Sequence, residues 1–143
     1  MNNMQWAITN HDRSDAALIR RFYAALDSGD MTTAAALLAP DVVLHVPGHH
    51  TLAGDYHGLE GVGRFAALSS AVATGGARVS VLDVMIGNDH VAALCHVEAC
   101  RPGCERLENR TVHLARFEAG RIAEVWYHNF DQHTVDAFWG TRQ

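Results

Sequence analysis

No apolar run in the 143-residue chain reaches the ~18 residues of a membrane span, so no membrane partner is expected. Basic residues are few and unclustered. Lys and Arg number 11 against 16 Asp and Glu, a net charge of −5 with histidines neutral. That balance lacks the positive patch that nucleic acid requires. Cysteine is scarce: there are three, an odd number, and none is needed as a staple. The expected setting is a reducing cytoplasm, with free thiols even at Cys100 and Cys104, which flank the RPG of an expected hairpin turn. The N-terminal MNNMQWAITNHDRSD has no basic flank and no long apolar stretch, which argues against a secretory signal. Phosphate loops, dinucleotide fingerprints and nucleophile elbows are missing. The glycines of LAGDYHG have neither the order nor the strand-to-helix context of those motifs, so no nucleotide cofactor is expected.

What is present is an ordinary globular composition, 48% hydrophobic and 19% charged. The length suits one domain over residues 1–143, with 1–12 a loose leader. SDAALIRRFYAALDSGD reads as a helix, because Leu18, Ile19, Phe22, Tyr23 and Leu26 recur at three- and four-residue spacing. Ser14 or Asp15 can cap its start and Gly29 ends it. Asp30 can cap a second helix, MTTAAALLA, stopped by Pro40. VVLHV is a short strand, followed by a histidine-rich loop and a third helix, LEGVGRFAALSSAVA. The second half carries four strand-like segments, RVSVLDVMIG, HVAALCHVEAC, ENRTVHLARFEA and RIAEVWYHNF, separated by turns. The last piece, DQHTVDAFWG, predicts one helical turn or an extended tail. Helices in the first half and an antiparallel meander in the second imply an α+β fold, with helices covering one face of a curved sheet.

Four stretches carry a resemblance: RFYAALDSGD with LLAPDVVLHVPG, LAGDYHGLEGVGRF, and VHLARFEAGRIAEVWYHNFDQHTVDAFW. Together they resemble the SnoaL-like branch of the NTF2-like superfamily, which includes ketosteroid isomerases and polyketide cyclases. The resemblance implies a cone-shaped half-barrel enclosing one apolar pocket, with homodimers through the sheet. Matched without gaps, the isomerase base falls on Val46, its tyrosine on Phe22 and its protonated acid on His113, so none of the three residues is retained. The polyketide cyclase aspartate falls on Phe130, one residue before Asp131.

Strand alternation then selects a site. If His113 faces the pocket, Thr111, Ala115 and Phe117 share its face. On the last strand Val125, Tyr127, Asn129 and Asp131 turn inward, while Glu124, Trp126 and His128 turn outward. The expected catalytic groups are Asp131, His113 and Tyr127, with Asn129 beside them and Phe22, Val46, Phe65, Ala115, Phe117 and Val125 as pocket wall. A carboxylate in an apolar pocket becomes a stronger base, histidine titrates near neutrality, and Tyr127 and Asn129 can donate to an oxyanion. The competing readings are structural. Asp131 can cap the turn through Thr134, and His113, Tyr127 and Asn129 can be satisfied core polar groups.

HVPGHHTLAGDYHG places four histidines in one stretch. His45 is still on a strand and alternates away from the pocket. His49, His50 and His57 sit on a loop at its mouth, without the helical pair or ordered ligand set of a zinc site, so no metal is expected. These histidines are expected to coat the pocket rim, where one of them, His49 for instance, can touch a ligand, and Asp55 and Tyr56 are similar rim candidates. The expected partner is an apolar carbonyl-bearing small molecule, and the expected activity is cofactor-independent acid–base chemistry of isomerase, cyclase, dehydratase or hydrolase type. The alternative is a non-catalytic small-molecule-binding or dimerisation module.

Overall fold

The computed structural model describes residues 10–140; residues 1–9 of the expected leader lie outside the described residues. The remainder of that leader is helical. Helix α1 runs Asn10–Ser28 and so begins earlier than a cap at Ser14 or Asp15 would place it. Its apolar repeat buries Ile19, Phe22, Tyr23 and Ala25. Gly29 ends it at φ +79°, a conformation that costs glycine little. Asp30 caps α2 (Met31–Ala36) as expected, accepting from the Thr33 backbone at 3.1 Å and the Thr33 hydroxyl at 2.6 Å.

Strand β1 (Leu38–Val46) takes residues that composition assigns to α2. The physical reason is a partner distant in sequence: the Ile122 N–H donates to the Leu37 carbonyl at 3.0 Å, and β6 then continues the pairing in parallel. Pro40 falls in the stretch where the β1–β6 register shifts, a place where its missing N–H is tolerated. Inside the expected loop, β2 (Gly54–His57) forms an antiparallel edge on β1 and leads straight into α3 (Gly58–Val72). The meander is β3 (Ala77–Ile86), β4 (His90–Ala99), β5 (Leu107–Glu118) and β6 (Arg121–Asn129). The C-terminal piece is a two-turn helix, α4 (Gln132–Trp139).

Among the described residues, six strands form one sheet in the order β2-β1-β6-β5-β4-β3, accompanied by four helices. The fold is α+β, with a curved sheet that does not close. α1 lies on β3 and β4, and α3 lies on β1 and β2. The main core lies between them, built on Val42, Leu44, Ala93, Cys95, Ala115 and Ile122 from the sheet. No described helix is long and apolar enough to cross a membrane.

Candidate functional site

The inner face of the sheet and the helices leave a cavity of about 200 Å³. Alternation along β5 and β6 delivers its polar wall: Asn109, Thr111 and His113 from one strand, Tyr127 and Asn129 from the other. The ladder sets His113 opposite Tyr127 and Thr111 opposite Asn129. Helix α1 contributes Tyr23 and Leu26, α3 contributes Phe65 and Ser69, and α4 contributes Val135 and Trp139. Val46, Leu52, Val79, Val97 and Leu107 complete an apolar lining.

His113 and Tyr23 meet inside this cavity, with Tyr23 Oη 2.5 Å from His113 Nδ1. Both residues are more than nine-tenths buried. A buried hydroxyl proton needs an acceptor, so Tyr23 donates to Nδ1 and the imidazole proton sits on Nε2. Burial, reinforced by the charge of His128, pushes His113 down to about 3, so it is neutral at physiological pH. Burial, with Tyr127 and Cys95 close by, raises the Tyr23 hydroxyl well above the ordinary phenol range. Burial, with Cys95 close by, raises Tyr127 as well. The Tyr127 ring lies 4.2 Å from that of His113, and no described protein group hydrogen-bonds its hydroxyl. The cavity thus offers two neutral donors, His113 Nε2–H and Tyr127 O–H, in an apolar wall. No Asp or Glu is among its described lining residues.

Of the residues expected here, His113, Tyr127, Asn129, Val46 and Phe65 line the cavity. Phe22, Ala115 and Val125 point inward but are packed into the main core. Phe117 follows a register shift at Arg116 and leaves the site. It lines a separate depression of about 300 Å³ with Asp15, Asn88, Asp89 and His90, which is larger but lacks any pairing of histidine with tyrosine. Asp131 is the main correction. It is exposed and caps α4, accepting from the Thr134 backbone at 3.1 Å and the Thr134 hydroxyl at 2.7 Å. Those bonds hold its carboxyl below the ordinary range, the opposite of a base tuned by burial. Tyr56 is no rim residue either, being buried with its hydroxyl donating to the Leu52 carbonyl at 2.7 Å.

The histidine stretch divides by position. His49 and His57 are exposed, and the His49 backbone N–H donates to Asp136 Oδ1 of α4 at 3.1 Å. His45 faces away from the cavity, between Asp55 and Glu124. His50 is buried in the cavity wall, where its Nδ1 accepts from the Leu52 N–H at 3.0 Å. Its Nε2 lies 4.0 Å from Asp136 Oδ1. Gly48 makes this meeting of rim and helix feasible: a Cβ there would stand 2.3 Å from Asp136 Oδ1. The one set of metal-type donors among the described residues is elsewhere. His96, Glu98 and Glu108 bring donor atoms within 4.8 Å of one another, and the Arg106 guanidinium lies against both carboxylates.

Sequence reasoning missed Tyr23 and Asn109 as site residues, and it placed His50 on the rim without singling it out from His49 and His57. The helical spacing that included Tyr23, and the alternation that runs from His113 through Thr111 to Asn109, were the available signals. Nothing in the local sequence distinguishes His50 from His49.

A family model described as a SnoaL-like domain matches residues 19–125. The uncharacterized protein Rv0034 of Mycobacterium tuberculosis is 33% identical over 129 residues, covering 90% of this chain and 98% of that protein. The solved structure of Bal32a, from a soil-derived mobile gene cassette, superposes with a TM-score of 0.87 at 30% identity, covering 92% of this chain and all of that one. An NTF2-like protein from Burkholderia pseudomallei K96243 shares the fold at a TM-score of 0.77 and 23% identity, covering 90% of this chain and 98% of that one.

Proposed function

The chain belongs to the SnoaL-like domain family, and on that premise we propose that its cavity binds one apolar small molecule and holds a carbonyl or enol oxygen of it against His113 and Tyr127. The observation that carries this reading is the buried Tyr23–His113 hydrogen bond beside the Tyr127 hydroxyl. Neutral donors cost far less to bury than ions, and donors fixed in an apolar wall stabilise negative charge as it develops on oxygen. The chemistry this suits is cofactor-independent proton transfer at a carbon next to a carbonyl, the common step of isomerase-, cyclase- and dehydratase-type reactions, with the two donors holding the enolate oxygen and solvent water taking the carbon proton, because the described lining holds no carboxylate. His113 Nε2–H and Tyr127 O–H share the oxygen. Tyr23 positions His113 and fixes its tautomer. It does not surrender its own proton, because burial disfavours the tyrosinate.

One observation favours a second reading, a binder without turnover: the described lining has no carboxylate to take the proton. Asp131 cannot supply it from the surface. We also infer a homodimer through the outer face of the sheet, and a cytoplasmic setting without nucleic-acid, membrane or cofactor partners.

The test uses 2-acetonaphthone as probe, with calorimetry for binding and NMR in D2O for exchange of its acetyl protons. The wild type is expected to bind the ketone and accelerate exchange. Tyr127→Phe and His113→Ala should each slow that exchange by roughly 100-fold, the loss typical of one oxyanion donor. Asp131→Ala should change neither binding nor exchange. Binding without accelerated exchange would leave the binder reading standing, and no binding would remove both.

A further inference from the structure

One wall of the cavity is a directional chain of amides. Asn109 Nδ2 donates to Asn129 Oδ1 at 2.8 Å, and Asn129 Nδ2 donates to Gln132 Oε1 at 2.9 Å. Gln132 Nε2 donates to Asp136 Oδ1 at 2.9 Å and reaches the Pro47 carbonyl at 3.4 Å. Chemistry fixes the direction of every link. The Asp136 carboxylate can only accept, so Gln132 must show it the NH2 and turn its oxygen toward Asn129. Asn129 must then meet that oxygen with its own NH2 and turn its oxygen toward Asn109. Asn109 must answer with its NH2, which leaves Oδ1 as the open end of the chain. No described donor meets that oxygen, although Asn109 is 8% exposed and lines the cavity. That oxygen lines the cavity as an accessible acceptor with no protein donor, so it is open to a hydrogen bond from whatever occupies the cavity.

Resting on the reading of the cavity above, we propose that Asn109 Oδ1 is a specificity element that accepts a hydrogen bond from a hydroxyl group of the ligand, and that Asp136 is the positioning residue that keeps this oxygen presented. The ligand class narrows accordingly. It carries an oxygen acceptor for His113 and Tyr127 at one end and a hydroxyl donor at the other. Residues 109 and 113 are four apart on β5, so their Cα atoms stand ~13 Å apart, and side chains reaching inward shorten the span. A two-ring hydroxy ketone has that order of length. Polarity matters at both ends: a ligand with two acceptors would place its second oxygen against Asn109 Oδ1, with no proton between them.

The probes are 6-hydroxy-2-acetonaphthone, its 6-methoxy analogue and unsubstituted 2-acetonaphthone, with dissociation constants measured by calorimetry. The wild type is expected to bind the hydroxy ketone about 10-fold tighter than either other ketone, the effect of one buried hydrogen bond. In Asn109→Leu that preference should disappear. Asp136→Ala should reduce it, because only the longer contact of Gln132 Nε2 with the Pro47 carbonyl, 3.4 Å, is left to set the direction of the chain, and Asp136→Asn, whose oxygen the His49 N–H still fixes, should retain it. A merely structural role would weaken all three ketones together and leave their ratio unchanged. Equal affinity of the wild type for the three ketones would overturn the proposal while leaving the cavity reading intact. So would a hydroxyl preference surviving in Asn109→Leu. If none of the three bound, the cavity reading would fall and the proposal with it.

Discussion

His113 is neutral because the fold has taken it out of water, and that has a consequence for stability. In the unfolded chain its imidazole titrates near 6.5. In the folded protein it is pushed down to about 3 by burial, with the charge of His128 adding to the effect. Between those values the unfolded state binds a proton that the native state does not, so stability rises with pH there and is lost as pH falls below 6.5. Urea denaturation from pH 7 to pH 4 should therefore show a progressive loss, and His113→Gln should flatten the slope. Tyr23→Phe should cost about 1–3 kcal/mol at pH 7, because Nδ1 then loses its buried donor. Asp131 shows how far such reasoning reaches from sequence alone. Asp131 and Thr134 repeat the spacing of Asp30 and Thr33, and both aspartates cap a helix through the same pair of bonds. That Asp-x-x-Thr spacing was legible as a cap. The reading of a base came from the family pattern, and the fold did not support it. Tyr23 shows the converse. A one-residue shift from Phe22 decides whether a phenol reaches His113, and only the packed helix fixes that rotation.

Elements that owe their structure to distant partners were the least legible. GDYH, bracketed by glycines, reads as a turn, yet it is strand β2 because β1 offers it an edge. What holds it there is visible only in three dimensions. His45 on β1 meets Asp55 of β2 through Nδ1 at 2.9 Å and Glu124 of β6 through Nε2 at 2.6 Å. Both partners are acceptors when ionised, so the ring donates through both nitrogens and is an imidazolium. Partial burial opposes that charge, but the Glu124 and Asp55 carboxylates prevail and hold His45 above its ordinary range. Arg116 shares Glu124, 3.3 Å away. A raised folded value means that this stabilisation is complete below about 6.5 and is lost as pH rises through the folded value. The window is opposite to that of His113, so the two histidines together favour a stability maximum between them. Wild type and His45→Gln should differ by on the order of 1 kcal/mol near pH 6 and converge in alkaline solution, in denaturation curves measured at both. Amide exchange over residues 54–57, corrected for intrinsic rates, should accelerate in the variant, because β2 is an edge strand whose ladder pairs with β1 alone and the clamp spans that pairing.

At the scale of the whole molecule, the division into covering helices and a meander was legible because strand alternation and helical spacing are strong local signals. The joining of β1 to β6 was not, since parallel pairing between segments some 80 residues apart leaves no local mark. The same topology creates the outer face. Its register aligns Met85, Ala92, Leu114 and Trp126 in one row across four strands, ending at His45. Trp126 stacks on His45 with rings 5.4 Å apart. Met85 is 44% exposed, and so is Leu82, at 48%, where the β3–β4 register shifts. Leu94 and Val112 of the neighbouring row widen the apolar row, and an apolar patch on the outer face of a sheet is the kind that associates. The partner that fits is a second copy of the chain, with a twofold contact that brings each row against its counterpart. Light scattering after size exclusion should then report twice the 15.6 kDa of one chain. Met85→Glu places a charge on an exposed position of an edge strand, where folding tolerates it, and should shift the population to 15.6 kDa with an unchanged circular dichroism spectrum. A wild type that ran at the monomer mass at every concentration up to the millimolar range would remove the dimer. The cavity would keep its reading in that case, because every residue lining it comes from a single chain.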